Sequence, residues 1–383
     1  MADARYKRVS RARPCLICGK PDWCSRTSDD SISFCARVTA GADRLSRKEQ
    51  WGVFYHDESI KPKPYKNYSE NHHVQSKPAK EISPAPLEIR DFVYSSLFRL
   101  SPASDYPMLI DGIKGLLERQ LENTQDYGGL PGSFAERQDL AAKIRLLLNQ
   151  NFPAFLRQNP LGLRHVPGFW IDEFGETNLW QKKDYPYPFL LIPYRSPAGL
   201  IQACQIRLTG KLATDKKRYL WLSLPQKNSA GSGTPLHYAG WKKFGRLNFT
   251  ELPILVTEGA LKADVVAKLL PNFFAIANGG VNCSQDLIVS VSSGKPLYLA
   301  FDSDYQDNLV VARQLARLLK LRLDNNRQSQ SFASTKIIVW DRTRKGIDDA
   351  LLNSEKLNEI TVLEWFSELN EKCRDEAQKV WSK

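Results

Sequence analysis

No stretch of this 383-residue chain approaches the roughly 20 consecutive apolar residues that span a bilayer. The basic opening "MADARYKRVSRARP" lacks the apolar core of a secretory signal. The expectation is therefore a soluble, cytoplasmic protein with no membrane partner. Histidine is scarce, and His72, His73, His165 and His237 stand at no metal-binding spacing from one another. The sequence contains no Walker A motif, which excludes a P-loop ATPase within it, and no internal repeat.

What is present begins with charge. The net charge is +12 and the pI about 9.3, with 42% hydrophobic residues, an ordinary value for a globular chain. Residues 1–80 carry 16 Lys/Arg against 9 Asp/Glu, a surplus of seven in the first fifth. Such asymmetry favours a polyanionic partner, most often nucleic acid. Four of the seven cysteines crowd into one short segment, as Cys15-x2-Cys18-x5-Cys24-x10-Cys35. Four thiolates close a tetrahedral zinc site, and a basic segment of about 56 residues has too little core to fold well without one. The four cysteines are the favoured ligands; His56, ending "WGVFYH", is the alternative to Cys24.

Six sections follow from texture. Residues 1–56 form the zinc module. Residues 57–87 hold five prolines and almost no aliphatics, a flexible linker. Residues 88–158 read as helical: "LIDGIKGLLERQLE" sets Leu109, Ile113, Leu116, Leu117 and Leu121 on one face, and "AERQDLAAKIRLLLNQN" follows Ser133, a suitable N-cap. The intervening "NTQDYGGLPGS" reads as a loop. Residues 159–251 are strand-rich, with "FLLIPYR", "LIQACQIRL" and "KKRYLWLSL". Residues 252–352 alternate strand and helix, the pattern of an α/β unit with a largely parallel sheet. Residues 353–383 read as a helical tail.

The α/β unit holds the chemistry. Parallel sheets place ligands at the carboxyl ends of their strands. Glu258 falls at one such end, in "ILVTEGALKA", and Asp302 and Asp304 at another, in "LAFDSDYQDN". Residues two apart on a strand share a face, so the two aspartates crowd one small space, and a divalent cation would relieve their repulsion. A third strand end carries "DRTRKGIDDALL", with Lys345, Asp348 and Asp349.

The order Glu-Gly, then DxD 44 residues later, then Lys-Gly-x-Asp-Asp resembles a TOPRIM domain, the metal-dependent module of bacterial-type primases, topoisomerases and some nucleases. The resemblance implies catalytic roles for Glu258, Asp302, Asp304 and Asp348, with Mg²⁺ or Mn²⁺ held by Glu258, Asp302 and Asp304 and with Asp348 near the metals. Two positions depart from it. Lys262 stands where many primases have an aspartate four residues after the glutamate, and Ser303 replaces the Gly often found inside the DxD. The preceding stretch, Pro193 to Pro225, resembles the N-terminal half of a primase polymerase core. That implies a basic surface for template and nucleotide phosphates, carried by Arg207, Lys217 and Arg218, with Lys345 beside the metals. The implied function is a primase-like nucleotidyltransferase, similar to those of plasmids and mobile elements. It would act on single-stranded DNA and nucleoside triphosphates, with any helicase as a separate partner. A TOPRIM nuclease and a non-catalytic replication accessory protein are the alternatives.

Overall fold

The structure is a computed structural model that describes residues 6–39, 42–45, 51–56, 82–111, 115–181, 187–208, 218–241 and 252–382. The expected linker therefore falls mostly outside the described residues, as do Ile113 and Lys217. The chain divides into two compact units, Met1–Pro78 and Ala79–Lys383.

The first unit is a small antiparallel sheet of β1 (Tyr6–Arg8), β2 (Ser25–Thr27), β3 (Ile32–Cys35), β4 (Arg44–Leu45) and β5 (Gly52–Tyr55), in the order β1-β2-β3-β5-β4. Its core is slight: Val9, Cys15, Cys24 and Cys35 are buried, with Val38 and Phe54 packed against them. Three of the four buried residues in that cluster are thus thiols.

The second unit has two main sheets. Helix α1 (Leu87–Leu100), a single turn α2 (Pro107–Ile110), strand β6 (Gly128–Leu130), helices α3 (Phe134–Asn151) and α4 (Pro153–Gln158), and the hairpin β7 (Phe169–Ile171)–β8 (Thr177–Leu179) lead into β9 (Phe189–Arg195), β10 (Ile201–Arg207) and β11 (Tyr219–Trp221). The antiparallel order is β11-β10-β9-β6. Val93, Leu97, Ile144 and Leu148 of α1 and α3 pack with Phe189, Leu191, Cys204 and Ile206 of this sheet in one cluster. Ser133 caps α3 with a capping box to Glu136.

Next, β12 (His237–Tyr238) precedes the alternating set β13 (Ile254–Glu258), α5 (Ala260–Leu269), β14 (Phe274–Asn278), α6 (Gln285–Ser292), β15 (Leu297–Ala300), α7 (Leu309–Gln328), β16 (Thr335–Val339) and α8 (Ile347–Leu352), followed by β17 (Asn358–Thr361), α9 (Val362–Glu368) and α10 (Glu371–Trp381). The sheet order is β12-β14-β13-β15-β16-β17; the inner pairs are parallel and both edge strands antiparallel. Ile254 and Val256 pack on one face with α6 and α7, whereas Leu255 packs on the other with α5 and α8. Burial on both faces is why these strands read as continuous apolar runs.

Three sequence expectations differ from the structure. The helix expected across 109–122 is, among the described residues, a single turn at α2, with non-helical turns from Leu116 to Gln120. Gly112 and Gly115 each cost a helix about 1 kcal/mol relative to Ala, and Leu117 is half exposed, so the leucines do not share one buried face. Leu109 and Leu116 are buried instead against Leu190 and Ile192 of β9. The expected loop contains β6, where Gly128 lies so close to the Phe98 ring that any Cβ would collide with it. Finally, the expected helical tail begins with a strand, β17, which closes the edge of the larger sheet.

Candidate active site and metal centre

The four cysteines come together. Their sulfur atoms all lie within 4.8 Å of one another, the only such group of potential ligands among the described residues. Cys18 Sγ is 3.7 Å from Cys24 Sγ, which is 3.9 Å from Cys35 Sγ. A tetrahedron with Zn–S bonds of about 2.3 Å has S···S edges of about 3.8 Å, so the spacing suits zinc. Gly19, left-handed at φ +67°, turns the first knuckle so that its N–H meets Cys15 O at 2.9 Å. The Ala36 and Val38 amides donate to Cys24 Sγ (3.4 Å) and Cys35 Sγ (3.3 Å), as suits thiolates. Burial would raise the Cys18 thiol, but the Lys20 backbone and the neighbouring sulfurs bring it down to about 7. Burial pushes Cys24 up to about 12 and Cys35 in the same direction. The unmetallated cluster therefore favours few thiolates at once, and a cation is what allows all four. His56 Nε2 is turned away to Ser33 Oγ, 2.7 Å distant, and is not in the sulfur group.

The carboxylate site is built at the carboxyl ends of β13 and β15. These strands are parallel neighbours, with Thr257 opposite Ala300, so Glu258 and Asp302 emerge side by side. Gly259 turns the chain from β13 into α5 at φ +89°, a conformation costly for any side chain-bearing residue. Asp302 begins the 3₁₀ turn Ser303–Gln306 that carries Asp304. Ser303 has a task of its own: its N–H donates to Lys345 O (3.0 Å) and its hydroxyl to Arg344 O (2.9 Å), fastening the turn to the Lys-Gly-x-Asp-Asp loop. That contact accounts for a serine within the DxD.

Lysines occupy the space between the acids. Lys262 Nζ pairs with Asp302 Oδ1, and Lys345 Nζ stands 3.5 Å from Asp304 Oδ2 and 3.8 Å from Asp302 Oδ2. Burial alone would lower the Lys262 ammonium, but Asp302, then Asp348 and Glu258, hold it above the usual lysine range. Glu258 is pushed up by burial and then by Asp302, against the pull of Lys262 and Lys345. Glu258, Asp302 and Asp304 do not reach the mutual closeness of the thiols. Asp304 Oδ1 is buried without a hydrogen-bond partner. A hard, oxygen-seeking cation suits these donors, and the unpartnered Asp304 Oδ1 leaves one oxygen free for it.

Asp348 is placed differently. It is buried, and its Oδ2 accepts from Arg119 Nε at 3.0 Å, across 229 residues of sequence. Arg119 and Arg218 are each near enough to act on Arg207: burial lowers Arg207, and the Arg119 and Arg218 charges add to that, opposing Tyr219 and Glu118. Arg207 and Tyr219 are register partners at the end of the β10–β11 ladder. A line of charge thus runs from the β10–β11 end through Arg119 and Asp348 to Lys262 and Asp302. Asp264, two residues past Lys262, faces elsewhere: it accepts from Tyr127 OH (2.8 Å) and pairs with His237 Nε2 (2.9 Å), joining α5 to the smaller sheet's surroundings. In the sequence Lys262 is only a departure from the resemblance and Arg119 is unmarked; no local signal points to a partner 229 residues away.

A family model described as a domain of unknown function, DUF3854, matches residues 246–357, which hold Glu258, Asp302, Asp304 and Asp348. No curated protein matches the chain. Among solved structures, the chain is similar to the zinc-binding and RNA polymerase domains of the Aquifex aeolicus primase, at 14% identity and a TM-score of 0.42, covering 78% of this chain and 75% of that one. It is similar to a DNA primase domain from Pseudomonas aeruginosa at 14% identity and a TM-score of 0.45, covering 73% and 82%. A third is the RNA polymerase domain of Mycobacterium tuberculosis primase DnaG in complex with a double-stranded DNA oligomer with a 6-nucleotide overhang, at 12% identity and a TM-score of 0.43, covering 79% and 81%. These are distant likenesses of shape, and the functional reading rests on the residues above.

Proposed function

We propose that the chain is a primase-like nucleotidyltransferase that joins nucleotides into short primers on single-stranded DNA. The observation that carries this reading is the set of carboxylates at adjoining strand ends, Glu258 on β13 and Asp302 and Asp304 after β15, connected by charge to a basic strand end.

Glu258, Asp302 and Asp304 would hold Mg²⁺ or Mn²⁺. Such an ion, when bound, neutralises triphosphate charge and favours ionisation of the attacking hydroxyl. Lys345, half exposed at the rim, meets substrate phosphate, and Ser303 keeps its loop in register with the aspartates. Glu258, with its carboxyl pushed upward by burial, would receive the proton of the primer hydroxyl. Asp348 belongs to the same site through Arg119 and Lys262. Arg207, Arg218 and Lys217 offer positive charge to the template or nucleotide backbone. The cysteine module holds zinc, and its surplus of positive charge favours the template strand. The reading extends to a role in plasmid or mobile-element replication, beside a helicase as partner.

The test is incubation of single-stranded DNA with labelled nucleotides and Mg²⁺ or Mn²⁺. New short products are expected from the wild type, falling by orders of magnitude in Asp302→Asn and Asp304→Asn while folding and zinc content persist. Wild-type activity in both variants would refute the reading. A shortened template would indicate nuclease action instead, and binding without turnover an accessory role.

A further inference from the structure

Of the two ammonium groups paired with the DxD aspartates, that of Lys262 is the more enclosed. It lies on the first turn of α5, four residues after Glu258, and its side chain is 22% exposed. It pairs with Asp302 Oδ1, and Asp348 and Glu258 also act on it. The opposite wall is backbone: a Cβ placed on Gly346 would lie 3.0 Å from Lys262 Cε and 3.3 Å from Nζ, and against Asp348 Oδ1. Gly346 thus leaves room for the ammonium, which is held in a fitted recess among three carboxylates. Lys345, by contrast, is 62% exposed and no closer than 3.5 Å to an aspartate.

We infer that Lys262 is a resident cation that takes one cation position of the site, so that a single divalent ion binds beside it, toward Asp304, where two would bind were the residue acidic. This rests on the reading of Glu258, Asp302 and Asp304 as a divalent-metal site. The physical ground is competition. An ammonium already paired with Asp302 neutralises a ligand that an incoming ion needs, and like charges in one small space repel. Lys262 also offsets the mutual repulsion of Glu258, Asp302 and Asp348 when no metal is bound. It is a positioning residue: it fixes where the ion sits and how many ions the acids accept.

The experiment measures Mn²⁺ binding to the full-length, zinc-loaded protein by calorimetry and by the loss of free-Mn²⁺ electron-spin resonance signal. The wild type, Lys262→Met and Lys262→Asp are compared, with Asp302→Asn/Asp304→Asn as the control for the site itself. One Mn²⁺ per wild-type chain is expected. Lys262→Met, which keeps most of the side chain's length and removes its charge, should bind about tenfold to a hundredfold tighter, the effect of one unit charge at a partly enclosed site. Lys262→Asp should bind two. Without added Mn²⁺, Lys262→Met should melt several degrees below wild type, and Mn²⁺ should recover that loss. Two ions in the wild type, or Lys262→Met within twofold of wild-type affinity, would overturn the inference while leaving the metal site standing. Binding unaffected by Asp302→Asn/Asp304→Asn would overturn the metal-site reading instead. Were no Mn²⁺ bound by any variant, both would fall.

Discussion

Replacing Arg119 by Met should unfold the second unit at a markedly lower temperature. The Arg119–Asp348 pair is closed to solvent, with side chains 7% and 2% exposed and a 3.0 Å bond between Nε and Oδ2. Asp348 Oδ1 has no hydrogen-bond partner, so Oδ2 carries the carboxylate's only direct hydrogen bond among the described residues. Removing the guanidinium leaves a buried carboxylate without its hydrogen-bond donor, with the Lys262 charge nearby. Breaking a buried pair from one side costs about 3–5 kcal/mol. For a domain of this size that corresponds to a fall on the order of 10 °C in Tm. Replacing both partners, as Arg119→Met with Asp348→Leu, removes the stranded charge and should recover most of the loss. The assay is thermal melting of the full-length, zinc-loaded chain for both single variants and the double variant, read as a double-mutant cycle. A cost below about 1 kcal/mol for Arg119→Met would place the pair with surface ion pairs. A double variant no better than the singles would show that the bond itself, and not the stranded charge, is what matters. Either result would refute the reasoning.

The zinc centre makes a sharper ligand prediction: elemental analysis should find about one zinc per chain, retained by His56→Ala and lost from Cys24→Ser, and the reverse result would restore the histidine as ligand. Glu258→Gln bears on pH. Because burial and Asp302 raise the folded carboxyl above its ordinary value of 4.5, the folded state holds more protons than the unfolded one, and stability from this group falls as pH rises from about 4.5 through the raised value. Above that window, without divalent ions, Glu258→Gln should melt higher than wild type, and below pH 4.5 the two should coincide; a lower Tm for the variant at neutral pH would contradict the burial argument.

The sequence and the structure agree where chemistry is local. The runs "PILVTEG", "FFAIANGG" and "PLYLAFDSD" form adjoining strands because each carries enough Val, Ile, Leu or Phe to be buried on both faces, and their polar ends then fall together. Cys15 to Cys35 is legible because four thiols within one short segment leave few geometries. The leucines of 109–121 misled because apolar spacing alone does not distinguish a helix stripe from turns pressed against β9; the glycines at 112 and 115 were the contrary signal. Strand β6 was hidden for a related reason. Its two glycines read as loop, whereas their lack of a side chain is what lets α1 and the Tyr106 turn approach the sheet.

The carboxylate site shows the same limit in charge. Glu258, Asp302 and Asp304 stand out because acids at the ends of apolar strands need a reason to be there. Arg119 and Lys262 do not stand out, since a basic residue in a turn or a helix's first turn ordinarily faces water. Their meaning comes from distance in space: one is bonded to Asp348 across 229 residues, the other to Asp302 across 40. An acidic strand end read alone suggests an anionic pocket waiting for metal. With Arg119, Lys262 and Lys345 in place, the pocket is already largely neutralised. A divalent ion there must displace or share these ammonium contacts. Cation affinity at this site is therefore set as much by its bases as by its acids.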